Sequence, residues 1–361
     1  MANKRLNLAI RADASETIGS GHVMRTLTLA NALSDRGANV TFVCRRRAGD
    51  MHERIQGAGF HLVPLSVATD RDSWLGVSYG QEIDDSSEAL SSINRLDLLV
   101  VDHYGIDRKW ERTMRRFCSS LMVIDDLANR EHDCEILLDQ NLGAEENDPY
   151  QLLVPPHARL MLGPRFALLR EQFRPFAEKV RERDGKITRI LVFMGGFDSD
   201  NATEKVLRGI DDLTERPKVV DVVLPEEAPH AGFVAEHCKR RGYNYLGRVE
   251  SMANAMEQAD LSVGGVGSAT WERCAVGLPA IALTLADNQR KGAHACEQRG
   301  AIVWLGDVAG TAPEHITAAI ADLQSNQSRV RAMSAAARSV VSAEEGFPLD
   351  RVLNCIFEVV A

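Results

Sequence analysis

Short apolar runs alternate along this chain with stretches of helical period. Residues 6–12 (LNLAIRA), 40–45 (VTFVCR), 96–102 (LDLLVVD) and 121–126 (LMVIDD) are nearly continuous in Val, Ile and Leu. Such runs predict strands buried on both faces, the environment of a parallel sheet. Between the first two, Val23, Leu27, Ala30 and Leu33 recur at helical spacing, and Gly37 follows as a C-terminal cap. A second series starts at 187–196 (ITRILVFMGG) and continues through 219–225, 259–265, 278–284 and 300–306, again with helical patterns between. The alternation predicts an α/β chain of two Rossmann-like, doubly wound domains. Residues 1–150 are expected to form the first and 187–345 the second. Residues 151–186, with a proline-containing stretch and then the charged RPFAEKVRERDGK, read as a connecting segment and linker. Residues 346–361 read as a C-terminal helix packing back on the first domain. Ligands of open α/β sheets bind outside the carboxyl ends of the strands. Two such domains are therefore expected to face each other across a cleft.

Composition narrows the class of ligand. Of 361 residues, 45% are hydrophobic and 26% charged, as in a globular protein, and 42 Lys+Arg against 51 Asp+Glu leave a net charge of −9. That balance does not suit a chain that wraps nucleic acid and favours the handling of small molecules. No apolar run reaches the roughly 18 residues of a membrane span. The N-terminal apolar patch ends at Arg11 and Asp13, too soon for the core of an export signal. No stable membrane association is expected, and the cytoplasm is the expected location. The cysteines, at 44, 118, 134, 238, 274, 296 and 355, are odd in number and scattered, with neither a disulfide framework nor zinc spacing. A reducing compartment follows.

Three glycine turns carry the candidate chemistry. In the first, Gly19, Ser20, Gly21 and His22 follow a strand and open a helix. A helix N-terminus favours an anion and disfavours imidazolium, so His22 is placed to accept a proton. Asp13, at the other end of the loop, is a candidate to hold the second ring nitrogen. The plainer alternative is a glycine turn with a capping histidine. The second turn holds Gly195, Gly196 and Phe197, with Ser199, Asp200 and Asn201 as candidate N-caps. It reads as a phosphate turn or as a tight turn only, and it lacks the lysine of a Walker loop. In the third, Gly267 and Ser268 start a helix and Glu272 lies one turn further in. A carboxylate there can accept both hydroxyls of a ribose, or simply pair with a nearby arginine. Asn288 and Gln289 follow a strand end, where they can bond sugar hydroxyls or acetamido groups. Asp102, His103, Tyr104 and Gly105 end another strand. The Asp- and His-rich stretch 125–141 fits no compact ligand set, so neither a metal nor another cofactor is expected.

The motifs GSGH, VVDHYGID, VIDDLANR, LLDQN, GPRFALLREQF, VFMGGFDSDNAT and GGVGSATWERCAVGLPAI occur in this order over nearly the whole chain. Together they resemble the nucleotide-sugar hydrolases of pseudaminic acid biosynthesis. That family is similar in fold to the GT-B glycosyltransferase that completes the peptidoglycan lipid precursor. The resemblance implies a GT-B fold with UDP mainly on the second domain. It also implies a UDP-sugar substrate, UDP-2,4-diacetamido-2,4,6-trideoxy-β-L-altropyranose, whose C1–O bond water breaks with inversion and without a metal. Carried onto this sequence, it makes His22 the general base. Glu272 holds the ribose, Ser268 and Gly267 the pyrophosphate, and the Val249 backbone the uracil, with Tyr104 and Asn288 near the sugar. The rival readings are a GT-B glycosyltransferase, a hydrolysing UDP-HexNAc 2-epimerase and a non-catalytic binding protein. The oligomeric state is left open by the sequence.

Overall fold

The computed structural model describes residues 5–341 and 346–360. The chain divides into two compact units, one running to Leu168 and taking in the segment from Pro348, the other spanning Leu169–Phe347.

The first unit is built on strands β1 (Asn7–Ala12), β2 (Asn39–Arg46), β3 (His61–Val67), β4 (Leu96–Asp102), β5 (Cys118–Ile124), β6 (Ile136–Asp139) and β7 (Arg159–Leu162). They form one sheet in the order β3-β2-β1-β4-β5-β6-β7, with every pair parallel. Leu98, Leu99, Val100 and Val101 of β4 are all buried, as continuous apolar runs require when helices cover both faces. In register, Ile10 of β1 sits between Phe42 and Val100. The chain leaves β1 toward β2 and returns on the other side at β4, which makes the β1/β4 boundary the topological switch point of this sheet. Pro64 lies in β3 at the sheet edge, where a missing N–H costs least.

Residues 151–168 do not act as a linker. Their strand β7 pairs with β6, Leu138 opposite Met161, and buries Met161 and Leu162. Four residues at an edge are too few to show a period, so the apolar pattern alone leaves them outside the domain. The helix Pro348–Val360 buries Leu349, Val352, Leu353 and Ile356, a one-faced spacing. It belongs to this unit, where Asp350 lies 3.3 Å from Arg36 and Glu358 pairs with Arg159.

The second unit holds β8 (Arg189–Phe193), β9 (Val219–Val223), β10 (Asn244–Gly247), β11 (Leu261–Gly265), β12 (Ala280–Thr284) and β13 (Ile302–Asp307). The order is β10-β9-β8-β11-β12-β13, again all parallel, with its switch point between β8 and β11. Ile190, Val192, Val263 and Ile281 are among the residues of its core. The two parallel-sheet α/β domains expected from the alternating pattern are thus present. Among the described residues, no helix is long and apolar enough to cross a membrane.

Candidate functional site

In the first unit, the residues after β1 and β4 meet at the switch point. The helix Gly21–Asp35 places His22 in its first turn and Arg25 three residues on, on the same face. Asp102, the last residue of β4, is fully buried between them. Its Oδ1 lies 2.6 Å from His22 Nδ1, and Arg25 donates to both carboxylate oxygens, each at 2.6 Å. A carboxylate at that distance assigns the ring proton to Nδ1 and leaves the lone pair on Nε2. Nε2 has no hydrogen-bond partner among the described residues. Burial opposes the charge on Asp102, but Arg25 and then His22 outweigh it and hold the carboxyl well below the usual range.

Arg25 also donates to Asp126, 3.1 Å away. Asp126 in turn accepts from the Tyr104 hydroxyl. Burial, followed by Asp126, pushes that phenol above its ordinary value, so it stays a donor. The Tyr104 ring meets His22 edge to face with centroids 4.6 Å apart.

Asp13 does not orient His22. Its carboxylate is taken by Arg11 at 2.5 and 2.9 Å and by the Arg45 backbone N–H at 2.7 Å. His103 Nε2 lies 3.2 Å from it, while His103 Nδ1 accepts from the Gly105 N–H. Those contacts give His103 a neutral Nε2–H form, and burial lowers its pKa in the same direction. The group continues through Glu82, which joins Arg11 and Arg45. Arg11 needs a buried counter-charge, and Asp13 is used for that purpose, while the Arg45 guanidinium pairs with Glu82 and Asp85. His103 is therefore a buried residue beneath the site, held by the Gly105 N–H and set beside Asp13. In the stretch 125–141, Asp125 pairs with Arg130 and His132 with Glu111, which is sheet continuation.

In the second unit, the turn after β8 retains its glycine backbone, with Gly195 at φ 113°. The helix Ala202–Asp211 that follows is capped from within, because Asp198 accepts from Ala202 N and Thr203 N at 2.8 and 2.9 Å. The capping side chain is Asp198 rather than Ser199, Asp200 or Asn201. Its carboxylate occupies the helix N-terminus that an anion would use. Gly196 and Phe197 remain half-buried beside it.

The helix Ser268–Ala275 after β11 differs, since its N-cap residue is Gly267, which has no side chain to cover the first turn. Gly267 N donates to Thr270 Oγ1 at 3.3 Å, and Arg273 donates to Thr270 Oγ1 and to Gly265 O at 3.1 and 2.8 Å. Arg273 is 1% exposed, and its Nε and Nη1 have no hydrogen-bond partner among the described residues. Gly264 makes room for it, since a Cβ there would lie 2.6 Å from Arg273 Nη1. Burial lowers the Arg273 pKa. Glu272 is buried and accepts from Arg170 Nε and Nη2 at 2.7 and 2.8 Å. Gln289 is turned to the backbone, accepting from Leu285 N at 2.8 Å, and Asn288 precedes the same helix. Val249 is half-buried in the bend after β10.

Arg25, Asp126, Arg170 and Arg273 were not singled out from the sequence. Arg25 was within reach, because it stands one helical turn from His22. Arg170 was not, since 102 residues separate it from Glu272.

Residues 189–347 match the family model "Glycosyltransferase family 28 C-terminal domain". A protein of Methanocaldococcus jannaschii described only as uncharacterised is 24% identical over 79% of this chain, and the match spans 57% of its own length. The UDP-2,4-diacetamido-2,4,6-trideoxy-β-L-altropyranose hydrolase of Campylobacter jejuni is 26% identical over 62% of this chain and 72% of its own. In structure, the chain is similar to MurG of Acinetobacter baumannii, with TM-score 0.67 and 14% identity, over 98% of this chain and 99% of that one. The chain has the GT-B fold, with a second unit that matches a glycosyltransferase family 28 C-terminal domain, and is related to nucleotide-sugar enzymes.

Proposed function

We propose that the protein hydrolyses a UDP-linked diacetamido-trideoxyhexose, with water as the acceptor and His22 as general base. The observation that carries this reading is the His22–Asp102–Arg25 arrangement, which presents an imidazole of fixed tautomer at a sheet switch point. Water attacks C1 of the sugar while the C1–O bond breaks and its electron pair leaves with the UDP β-phosphate. The water proton passes to His22 Nε2 and then to solvent. One base on the face opposite the leaving group suffices for inversion. A positioned base of this kind contributes about 10²–10⁴-fold.

The second unit is assigned to the nucleotide. The N-terminus at Gly267 and Ser268, where the N-cap glycine brings no side chain, takes the pyrophosphate, and Arg273 beneath it adds positive potential as negative charge develops on the leaving group. Glu272, steadied by Arg170, accepts from the ribose hydroxyls. The Val249 backbone faces uracil, and Tyr104 and Asn288 lie near the sugar. The Campylobacter relative, named as a hydrolase of such a UDP-sugar, supports this choice of substrate.

A second reading, transfer to an acceptor, is favoured by the family 28 match. The deciding experiment incubates the purified protein with UDP-2,4-diacetamido-2,4,6-trideoxy-β-L-altropyranose, with a chelator present and no acceptor. Release of UDP and free sugar of inverted anomeric configuration is expected, and His22→Ala should slow it by about 10²–10⁴-fold. UDP release that waits for an added acceptor selects the transferase.

A further inference from the structure

Trp74 is left 41% exposed in the loop between β3 and the helix Tyr79–Ser91, although its neighbour Leu75 is buried in the core. Large aromatic side chains gain most from burial, so one held outward in an ordered loop needs a reason. The loop is built to hold it there. Arg47, itself buried, donates through both Nη atoms to Ser73 O at 3.1 Å and through Nη2 to Trp74 O. Thr69 N and Asp70 N close the loop on Gly76 O at 2.8 and 2.9 Å. On the inner side Leu75 presses against Gly105, where a Cβ would lie 2.9 Å from Leu75 Cγ. The glycine after Asp102, His103 and Tyr104 therefore lets the loop seat beside the site.

The Trp74 ring stands 4.8 Å from Tyr104 at 74° and 6.1 Å from His22 at 82°. Both contacts are edge to face, and neither ring lies parallel on the indole. A π face is electron-rich, and the C–H groups along one side of a hexose carry the complementary partial charge. Deoxygenation at C6 and acetamido methyl groups enlarge that apolar side.

We infer that Trp74 is the platform for the substrate's sugar ring, selecting hexoses with a broad C–H face, an inference that rests on the nucleotide-sugar reading of His22. The hydroxyl and acetamido groups then face the polar side chains, while the indole excludes water from one side of the ring and sets its position relative to His22.

The test combines kinetics with intrinsic fluorescence of the full chain. Trp110 and Trp271 are buried and Trp304 is half-buried, so the difference between wild type and Trp74→Phe is needed to isolate the Trp74 indole. The UDP-diacetamido-trideoxyhexose should change this Trp74 signal, and UDP alone should not. Trp74→Ala should lower kcat/KM by about tenfold. UDP affinity by calorimetry should stay at the wild-type value, and Trp74→Phe should recover most of the activity. Wild-type kcat/KM in Trp74→Ala, or a full signal from UDP alone, overturns the inference. If the wild type releases no UDP from this compound under any condition, the hydrolase reading fails. The titration then still decides the platform: a sugar-dependent signal lost in Trp74→Phe supports it, and its absence overturns it.

Discussion

Arg25 in the first unit and Arg273 in the second are both buried near the carboxyl end of a parallel sheet, yet their surroundings differ. Arg25 is met by Asp102 at two points and by Asp126, and its pKa is held well above the ordinary value. Arg273 has a carbonyl and a hydroxyl oxygen as its only hydrogen-bond acceptors among the described residues, and burial lowers its pKa. Glu272, the nearest acidic residue in sequence, is engaged by Arg170. An unpaired buried cation destabilises a fold by several kcal/mol unless something compensates it. The difference teaches what each site is suited to. Paired charges fix a proton and an orientation, as a base requires. A cation with no carboxylate hydrogen-bonded to it among the described residues keeps more of its potential for an incoming anion, as a diphosphate site requires.

The contrast is broken most severely at Asp102. Asp102→Asn removes the acceptor for His22 Nδ1–H and lets the amide favour the opposite tautomer, so turnover should fall by about 10²–10⁴-fold. UDP affinity, measured by calorimetry, should remain. Retained turnover would show that the imidazole needs no carboxylate here. Arg273→Met gives a smaller and two-signed effect. UDP should bind about tenfold more weakly, near 1.4 kcal/mol, while the ligand-free chain melts at a higher temperature because an unpaired charge has gone. A fall in both quantities would make Arg273 a structural pin.

The smallest effect concerns Asp139, an exception among the paired carboxylates of the first unit. Burial, reinforced by Asp126 and Asp125, pushes its carboxyl up to about 7, against the hydrogen bonds from Asn141 N and Tyr150. Its folded pKa lies above the unfolded one, so the folded chain binds the extra proton between these values. Stability from this residue therefore falls as pH rises from about 4 to about 7. Asp139→Asn should melt a few degrees above wild type at pH 8 and level with it at pH 4. Asp102 and Asp13 act with the opposite sign, since their depressed pKa values stabilise the fold above the usual carboxylate range and the contribution is lost on acidification.

Much of the fold is legible in the sequence because central parallel strands are buried on both faces. β1, β4, β8 and β11 flank the two switch points, and each reads as a continuous apolar run that ends in a polar or glycine turn. The strands that escape are mainly edges. β3 contains Pro64 and exposes most of its residues, and β10 alternates between exposed and partly buried positions. β7 has only four residues. An edge strand has one neighbour and partial cover, so neither continuity nor period marks it.

The candidate site divides in the same way. The sequence by itself determined which turns bear glycine, that His22 opens a helix, and that Ser268 and Glu272 stand one turn apart on another. These are local properties, set by neighbours within a few positions. Only the tertiary structure decided the partners. Asp13 is nine residues from His22 and is consumed by the Arg11 guanidinium and the Arg45 backbone N–H, whereas Asp102, 80 residues away, holds the ring. Asp198 caps its own helix with a carboxylate, while the helix at Ser268 begins at a glycine N-cap, with no carboxylate in that position, above Arg273. A buried charge takes the counter-charge that topology brings within about 3 Å, and sequence distance does not enter that choice.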